Sequence, residues 1–195
     1  MDKGANQEII KQALIVLDYH IKWLEFSFID ETLLLAQYYH LLNSEDKCRE
    51  HYRYASFQKI LIDNQYLDDE AIDKYIQLAE LDNDKVMASA ALMNLFQWEK
   101  LKEEQYIKLV NHPVFSHHSF QKYHQKQMVL KATDESVFSD QDVEFYIHNY
   151  EPSIQKYLLT NKKLTVRQLE YISQNGGSKK VRNIANNLLR NQDFR

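Results

Sequence analysis

Histidine is the residue type in this sequence best suited to binding a metal, and four of its 8 histidines lie close together. The segment NHPVFSHHSFQKYHQ contains His112, His117, His118 and His124. Zinc favours imidazole ligands, and two histidines share a metal readily when they lie four residues apart on one helix. Here successive histidines are five, one and six residues apart, and no HExxH motif is present. The spacing therefore favours a polar loop and helix face over a metal site.

The single cysteine, Cys48, is flanked by Lys47 and Arg49. Cationic neighbours lower the pKa of a thiol and make it nucleophilic when all the side chains face one site. Adjacent residues on a helix point about 100° apart, so these three side chains do not share a face. We therefore predict a half-buried structural cysteine, and a single cysteine excludes an intrachain disulfide.

No other pattern in the sequence is typical of an active site. With only 3 glycines, the chain has neither a glycine-rich phosphate loop nor a Gly-x-Ser-x-Gly elbow. Carboxylates are concentrated between Asp68 and Asp84, but acidic residues are expected at helix starts as caps and as partners of the helix dipole. These observations predict a protein that is not an enzyme and that uses no cofactor or metal.

Charged residues are distributed unevenly along the chain. Residues 63–104 contain eleven acidic and four basic residues, whereas residues 151–195 contain nine basic and three acidic ones. The acidic segment suits a basic partner protein, and the basic end suits phosphate groups or an acidic surface. We expect the basic candidates to form one patch if successive helix pairs stack. The candidate partner-binding residues are Asp68, Asp69, Asp73, Lys162, Lys163, Arg167, Lys179, Lys180 and Arg182.

The elements that position these residues are predicted to be helices. The 195-residue chain is 44% hydrophobic, enough for a core, but has only 3 glycines and 2 prolines. Folds with many strands need tight turns rich in those residues, so an all-α fold is predicted. A net charge of −4 argues against general affinity for nucleic acids or membranes, and no apolar run approaches the roughly 20 residues of a membrane span. The N-terminus does not resemble a signal peptide, so a cytoplasmic location is expected.

The first third of the chain is predicted to form three helices. In the first helix, apolar residues recur at spacings of three and four, which is typical of one buried stripe. That stripe consists of Ile10, Leu14, Leu17, Ile21 and Leu24.

The second and third predicted helices follow at Asp30 and near Glu45. Asp30 is the predicted N-cap of a helix that ends at Asn43-Ser44. The third helix is more polar than the first two. Its predicted core-facing residues are Cys48, Tyr52, Ala55, Ile60 and Leu61.

Four segments beyond residue 66 begin alike. They are LDDEAIDKYI at 67, LKEEQYIKLV at 101, FSDQDVEFYI at 138 and LTVRQLEYIS at 164. Each has an apolar anchor and further apolar residues five and eight positions later, and three of the four have a good N-cap after the anchor, which is typical of a capped amphipathic helix. A polar break and a second apolar run follow each segment, which suits stacked helix pairs although the spacings of 34, 37 and 26 residues are uneven. The second runs are clearest in Val86, Ala90, Leu92 and Phe96, and in Val181, Ile184, Ala185 and Leu188.

The last segment carries a family resemblance. LTVRQLEYISQNGGSKKVRNIANNLLR, residues 164–190, has an apolar-Thr start, a short helix, an Asn-containing turn and a Val-Arg pair before a second helix. We expect its adjacent glycines, Gly176 and Gly177, to supply a positive φ at the turn. The pattern resembles the leucine-rich repeat variant and HEAT-like repeats of bacteria, closely over 164–190 and loosely over 67–190. The resemblance implies a helical-repeat architecture, and the iron–sulfur cluster of one variant-repeat family is excluded because there is one cysteine.

Together these patterns predict an all-α, short and irregular right-handed α-α superhelix of HEAT-like helix pairs. We expect a single domain, 1–195, with N-terminal helices in 1–65 and about four helix pairs in 66–195. Such a scaffold presents an extended surface for macromolecules, so we expect a non-enzymatic protein-binding module. A narrower hypothesis is an antitoxin or immunity-type protein whose acidic face covers a basic toxin. The alternative is a nucleic-acid-binding protein that uses the basic 151–195 end.

Overall fold

The computed structural model describes residues 3–45, 47–131 and 138–192, and all regular structure in these ranges is helical. The all-α prediction is confirmed. None of the described helices combines the length and the apolar character needed to cross a bilayer. The helices are α1 (Lys3–Leu17), α2 (Lys22–Glu25), α3 (Glu31–Asn43), α4 (Arg49–Asp63), α5 (Asp69–Leu81), α6 (Lys85–Phe96), α7 (Glu103–Asn111), a 3-10 helix (Pro113–Phe115), α8 (His118–Lys131), α9 (Asp140–Asn149), α10 (Pro152–Asn161), α11 (Val166–Asn175) and α12 (Lys179–Gln192).

The chain divides into two compact units, Met1–Leu109 and Val110–Arg195. The sequence predicts one domain with a change of organisation between residues 65 and 66. In the structure, α5, α6 and nearly all of α7 belong to the first unit, because α4 and α5 both pack against α6.

The core of the first unit is built around three aromatic side chains. Trp23, Phe57 and Tyr75 are almost completely buried. Ring centroids are 4.5 Å apart between Trp23 and Phe57 and 4.9 Å apart between Phe57 and Tyr75, both with edge-to-face geometry. The aromatic cluster therefore joins α2, α4 and α5, which are distant in sequence.

Helix α1 ends at Leu17, so the prediction of one continuous helix through Leu24 is wrong. Asp18 adopts the left-handed backbone conformation, with φ of 59°. The amide of Tyr19 donates to the carbonyl of Leu14 at 2.8 Å, and the amide of Asp18 donates to that of Ile15 at 3.2 Å. This is the Schellman arrangement that closes a helix, with Asp in the place usually taken by Gly.

The buried positions after α1 also differ from the predicted stripe. Ile21 is 47% exposed, whereas Tyr19 and Trp23 are buried. The left-handed turn at Asp18 ends the helix, so apolar residues spaced three and four apart no longer lie on one helix face beyond it.

Helix α4 begins at Arg49, four residues later than predicted, and presents a different face to the core. Ile60 and Leu61 are buried as expected, but Ala55 and Cys48 are exposed. The prediction of a half-buried structural cysteine is therefore wrong, because Cys48 is the N-cap residue at the surface. The inward face instead carries two polar residues, Arg53 and Ser56, which apolar periodicity does not detect.

Helix α6 shows a similar shift of face. Leu92 and Phe96 are buried as predicted, but Val86 is 83% exposed and Ala90 is exposed. The Asp84 side chain accepts hydrogen bonds from the Val86 and Met87 amides, so Val86 lies in the first turn and points to solvent. The buried face is completed by Met87, Ala88, Ala91 and Leu95.

In the second unit, helices that are two positions apart in the order of the chain pack against each other. Helix α11 packs against α9 as well as α12, and α10 packs against α8 and α12. Within this unit α9 and α11 therefore form one layer, and α8, α10 and α12 form the other. The core between them includes Val143, Ile154, Leu158, Leu169, Ile172, Val181 and Ala185.

Helix starts follow the predicted capping chemistry in most cases. The Asp30 carboxylate accepts from the Leu33 amide at 2.7 Å, and the Asp68 carboxylate accepts from the Ala71 amide at 2.8 Å. Ser139 and Thr165 each form a capping box with the residue three positions later. The buried anchors that precede these helices are Leu67, Phe138 and Leu164.

Two buried glutamines make the same pair of hydrogen bonds at equivalent positions of two segments. Gln105 donates to the Leu67 carbonyl at 2.9 Å. It also accepts, at 3.1 Å, from the backbone amide of the residue that follows the apolar anchor of its own segment. Gln168 likewise donates to the Phe138 carbonyl at 2.6 Å and accepts from the corresponding backbone amide of its own segment at 3.0 Å. Each glutamine lies four residues after its anchor and reaches the anchor of the preceding segment.

The two adjacent glycines lie at the turn between α11 and α12, as predicted, but for a different reason. Gly176 has φ of −56° and neither glycine has positive φ. A Cβ on Gly176 would lie 2.7 Å from Val181 Cγ1, so close packing requires glycine there. The Gly177 amide donates to Gln155 Oε1 at 2.8 Å, and a Cβ at 177 would lie 3.1 Å from the amide atoms of Gln155.

Candidate functional site

The first unit contains a groove with a volume of about 620 Å³. We call it the α1–α5 groove, because residues of α1 and of the end of α5 line it. Residues of the segment that joins α1 to α2 line it as well. The lining residues that matter below are Leu14, Ile15, Asp18, Ile21, Leu81 and Asp82.

Three apolar side chains at the groove remain exposed. Ile15 is 75% exposed, Ile21 47% and Leu81 38%. Single exposed apolar residues are normal on protein surfaces, but convergence on one concave feature is typical of a binding site.

The groove is held in place by a buried ion pair. Arg53 Nε donates to Asp82 Oδ2 at 2.7 Å, and its second nitrogen lies 3.2 Å from Oδ1, so the contact is bidentate. The Arg53 and Asp82 side chains are 3% and 2% exposed. Arg53 also donates to the Leu17 carbonyl at 2.8 Å, and its guanidinium lies 3.7 Å from the Asp18 carboxylate. One guanidinium thus ties the end of α1, the middle of α4 and the end of α5 together.

A second polar cluster fixes the segment after α1. The Tyr19 hydroxyl lies 2.7 Å from Ser56 Oγ and 2.8 Å from Gln37 Oε1, with Tyr19 as the donor to Gln37. Burial raises the pKa of Tyr19, so its hydroxyl is neutral at physiological pH. The groove wall is therefore held by hydrogen bonds to α3 and α4 as well as by apolar packing.

The predicted acidic candidates have different environments. Asp68 caps α5, and Asp69 forms an ion pair with Lys108. Hydrogen bonds from Lys108 and from Gln105 lower the pKa of Asp69. Asp73 is exposed on α5. Two of the three acids thus have structural roles, and the structure gathers all three near the start of α5.

The predicted basic candidates form two sets instead of one patch. Since α11 has 10 residues, it separates the sets by about 15 Å along its axis. The first set lies just before or at the start of α11, and the second set lies at the start of α12. The sets are Lys162, Lys163 and Arg167, and Lys179, Lys180 and Arg182.

Both arginines in these sets have partners within the protein. Arg167 lies 3.3 Å from the Asp140 carboxylate. Arg182 donates to the Gly176 carbonyl at 2.6 Å and so satisfies the end of α11. The exposed cations at this end of the chain include Lys163, Lys179 and Lys180.

The histidine-rich segment serves local structure. His112 Nδ1 accepts from the Val114 amide at 3.3 Å and caps the 3-10 helix. His118 Nε2 lies 3.2 Å from Glu151 Oε1. Over the described ranges, the histidines between 112 and 124 join no group of three metal-ligating side chains.

A group of metal-ligating side chains occurs elsewhere, at the start of α4. The ligand atoms of Cys48, Glu50 and His51 all lie within 4.8 Å of one another. The sequence prediction paired Cys48 with Lys47 and Arg49 and did not include Glu50 and His51. A cysteine three residues before a histidine was the available signal, because an N-cap side chain and the third helical residue face each other.

Comparison of the chain with protein-family models, with characterised proteins and with solved structures finds no match. The resemblance of residues 164–190 to HEAT-like repeats stays a prediction.

Proposed function

We propose that this chain is a non-enzymatic protein-binding module built on HEAT-like helix pairs, and that a partner protein binds in the α1–α5 groove. The observation that carries the proposal is the convergence of three exposed apolar side chains on a concave feature of about 620 Å³. A partner that inserts an apolar side chain there would bury Ile15, Ile21 and Leu81 together. Buried apolar anchors of this kind supply most of the energy of protein interfaces.

The groove is also prepared for binding before a partner arrives. Arg53 and Tyr19 fix both the end of α1 and the segment that follows it. A wall that is already ordered loses little conformational entropy on association, so more of the contact energy appears as affinity. The equivalent hydrogen bonds of Gln105 and Gln168 support the helix-pair scaffold itself.

The narrower antitoxin or immunity hypothesis depends on the acidic residues of the same unit. The start of α5 holds Asp73 exposed and Glu70 with a side chain that is 75% exposed. These carboxylates would steer a basic partner toward this unit, an effect that weakens as salt rises. The nucleic-acid alternative needs a continuous basic surface, and the separation of the six basic candidates into two sets does not favour it.

The test is a comparison of proteins captured from a lysate by the wild type and by two matched variants. Ile15→Asp places a charge in the groove, and Ile62→Asp places the same charge at an apolar position with similar exposure, 72% against 75%. We expect at least one protein to be captured by the wild type and by Ile62→Asp and to be lost from Ile15→Asp. Identical captured proteins for all three baits, or none, would contradict the proposal. Equal thermal stability of the two variants would show that the loss is not caused by unfolding.

A further inference from the structure

The start of α4 brings together three side chains that are chemically different metal ligands. Cys48 is the N-cap residue and makes no side-chain capping hydrogen bond to the helix, while Glu50 and His51 are the second and third helical residues. Their thiol, carboxylate and imidazole ligand atoms lie within 4.8 Å of one another. Three residues of one helical turn therefore present a sulfur, an oxygen and a nitrogen ligand toward a common point.

This ligand set selects for a particular class of ion. Thiolate and imidazole favour zinc and similar transition metals over calcium and magnesium, which prefer oxygen ligands. In a tetrahedral zinc site the bonds are about 2.0 to 2.3 Å, so neighbouring ligand atoms lie roughly 3.3 to 3.7 Å apart. Cys48 and His51 are exposed and Glu50 is half-buried, so rotation of side chains at the surface can close this difference.

The charges around the group are compatible with a divalent cation. A thiolate at Cys48 and the Glu50 carboxylate together supply two negative charges, and the positive end of the helix dipole favours both of them. The neighbouring Lys47 is directed elsewhere, because its ammonium donates to the carbonyls of Leu41 at 2.8 Å and Leu42 at 3.1 Å. Its charge is thus engaged with the end of α3.

We infer that Cys48, Glu50 and His51 form a binding site for a zinc-class divalent metal, with a fourth position open to water or to a ligand from another molecule. The site lies apart from the residues that line the α1–α5 groove. Loss of groove binding would leave this inference unaffected, and the reverse also holds.

The first test is titration of the reduced, metal-free chain with Co²⁺, a spectroscopic probe for zinc sites. We expect one equivalent to bind with a thiolate-to-cobalt charge-transfer band in the near ultraviolet. Cys48→Ser should abolish that band, and His51→Ala should weaken binding at least about tenfold. His117→Ala, which removes an exposed histidine of the other unit, should behave as the wild type. A wild type without the charge-transfer band, or a His51→Ala variant that binds as tightly as the wild type, would overturn the inference.

The second test uses the fact that the chain has only 1 cysteine. Reaction with a thiol-specific disulfide reagent therefore reports on Cys48 alone. Stoichiometric Zn²⁺ should slow this reaction in the wild type and in His117→Ala, but not in His51→Ala. Equal reaction rates with and without Zn²⁺ in the wild type would overturn the inference. Unchanged thermal unfolding of the metal-free variants would exclude a folding defect as the cause of any loss.

Discussion

Replacement of Arg53 by methionine should destabilise the first unit more than almost any surface change. In Arg53→Met the Asp82 carboxylate, with a side chain that is 2% exposed, loses its bidentate partner and remains buried. The Leu17 carbonyl loses its donor as well. Removal of one partner from a buried ion pair costs about 3 to 5 kcal/mol, a large share of the roughly 5 to 15 kcal/mol that stabilise a typical domain.

Urea unfolding followed by tryptophan fluorescence reports on the unit that contains Arg53. Both tryptophans, Trp23 and Trp98, belong to the first unit. The matched control is Lys59→Met, on the same helix, which removes an exposed pair with Asp63 whose side chains are 55% and 51% exposed. That pair is worth about 0.5 kcal/mol at most.

Comparison of Arg53→Met with Lys59→Met also defines the result that would contradict this prediction. A free energy of unfolding for Arg53→Met within about 1 kcal/mol of Lys59→Met would show that the buried pair does not hold the unit together. The double variant Arg53→Met, Asp82→Leu removes both charges and should recover much of the lost stability, because no uncompensated carboxylate remains buried. If the double variant is no more stable than Arg53→Met, an uncompensated Asp82 carboxylate is not the main cause of the lost stability.

Three further predictions concern other contacts. Gln168→Leu should lower the free energy of unfolding by roughly 1 to 3 kcal/mol, because a buried carbonyl loses its donor, whereas Gln174→Leu on the exposed face of the same helix should change it little when urea unfolding is followed by circular dichroism. Gly176→Ala should destabilise the second unit by about 1 to 3 kcal/mol, and more than Gly177→Ala in circular-dichroism melts, since the added Cβ would lie 2.7 Å from its nearest neighbour instead of 3.1 Å. The pKa of Asp69 is lowered in the folded chain, so its stabilising effect is present above the unfolded pKa and is lost as pH falls through the folded pKa. Between pH 7 and pH 3 the wild type should therefore lose more stability than Asp69→Asn, and parallel curves would contradict this.

The sequence predicts features of this fold that depend on local chemistry. Asp30, Ser139 and Thr165 cap their helices because a short oxygen-bearing side chain three residues before an amide needs no distant partner. The fold class follows for a similar reason, since the scarcity of glycine and proline limits tight turns along the whole chain.

Features that depend on distant partners were missed. The end of α1 at Leu17 is satisfied by Arg53, which lies 36 residues later in the chain. Gln168 is buried because the Phe138 carbonyl, 30 residues earlier, accepts its hydrogen bond. Patterns of apolar spacing assign such polar residues to the surface, so both the break in α1 and the buried glutamines were invisible from the sequence.

The positions of the candidate residues also depend partly on local and partly on distant structure. Asp68, Asp69 and Asp73 lie near one another because they belong to the N-cap and the first two turns of one helix. The basic candidates were expected to meet but lie at opposite ends of α11. The α1–α5 groove could not be predicted, because it depends on the reversal at Asp18 and on the burial of Arg53 between three helices.

Helix α11 is attached to the elements before it at both of its ends. Gln168 bonds the Phe138 carbonyl at the beginning of the helix, and Gln155 bonds the Gly177 amide just beyond its end. Fraying that proceeds inward from the chain terminus would have to break both hydrogen bonds and leave the Phe138 carbonyl and the Gln155 side chain without these partners. We therefore expect α11 to detach from α9 and α10 in one step instead of fraying gradually, and to be a poor protease substrate until it does so.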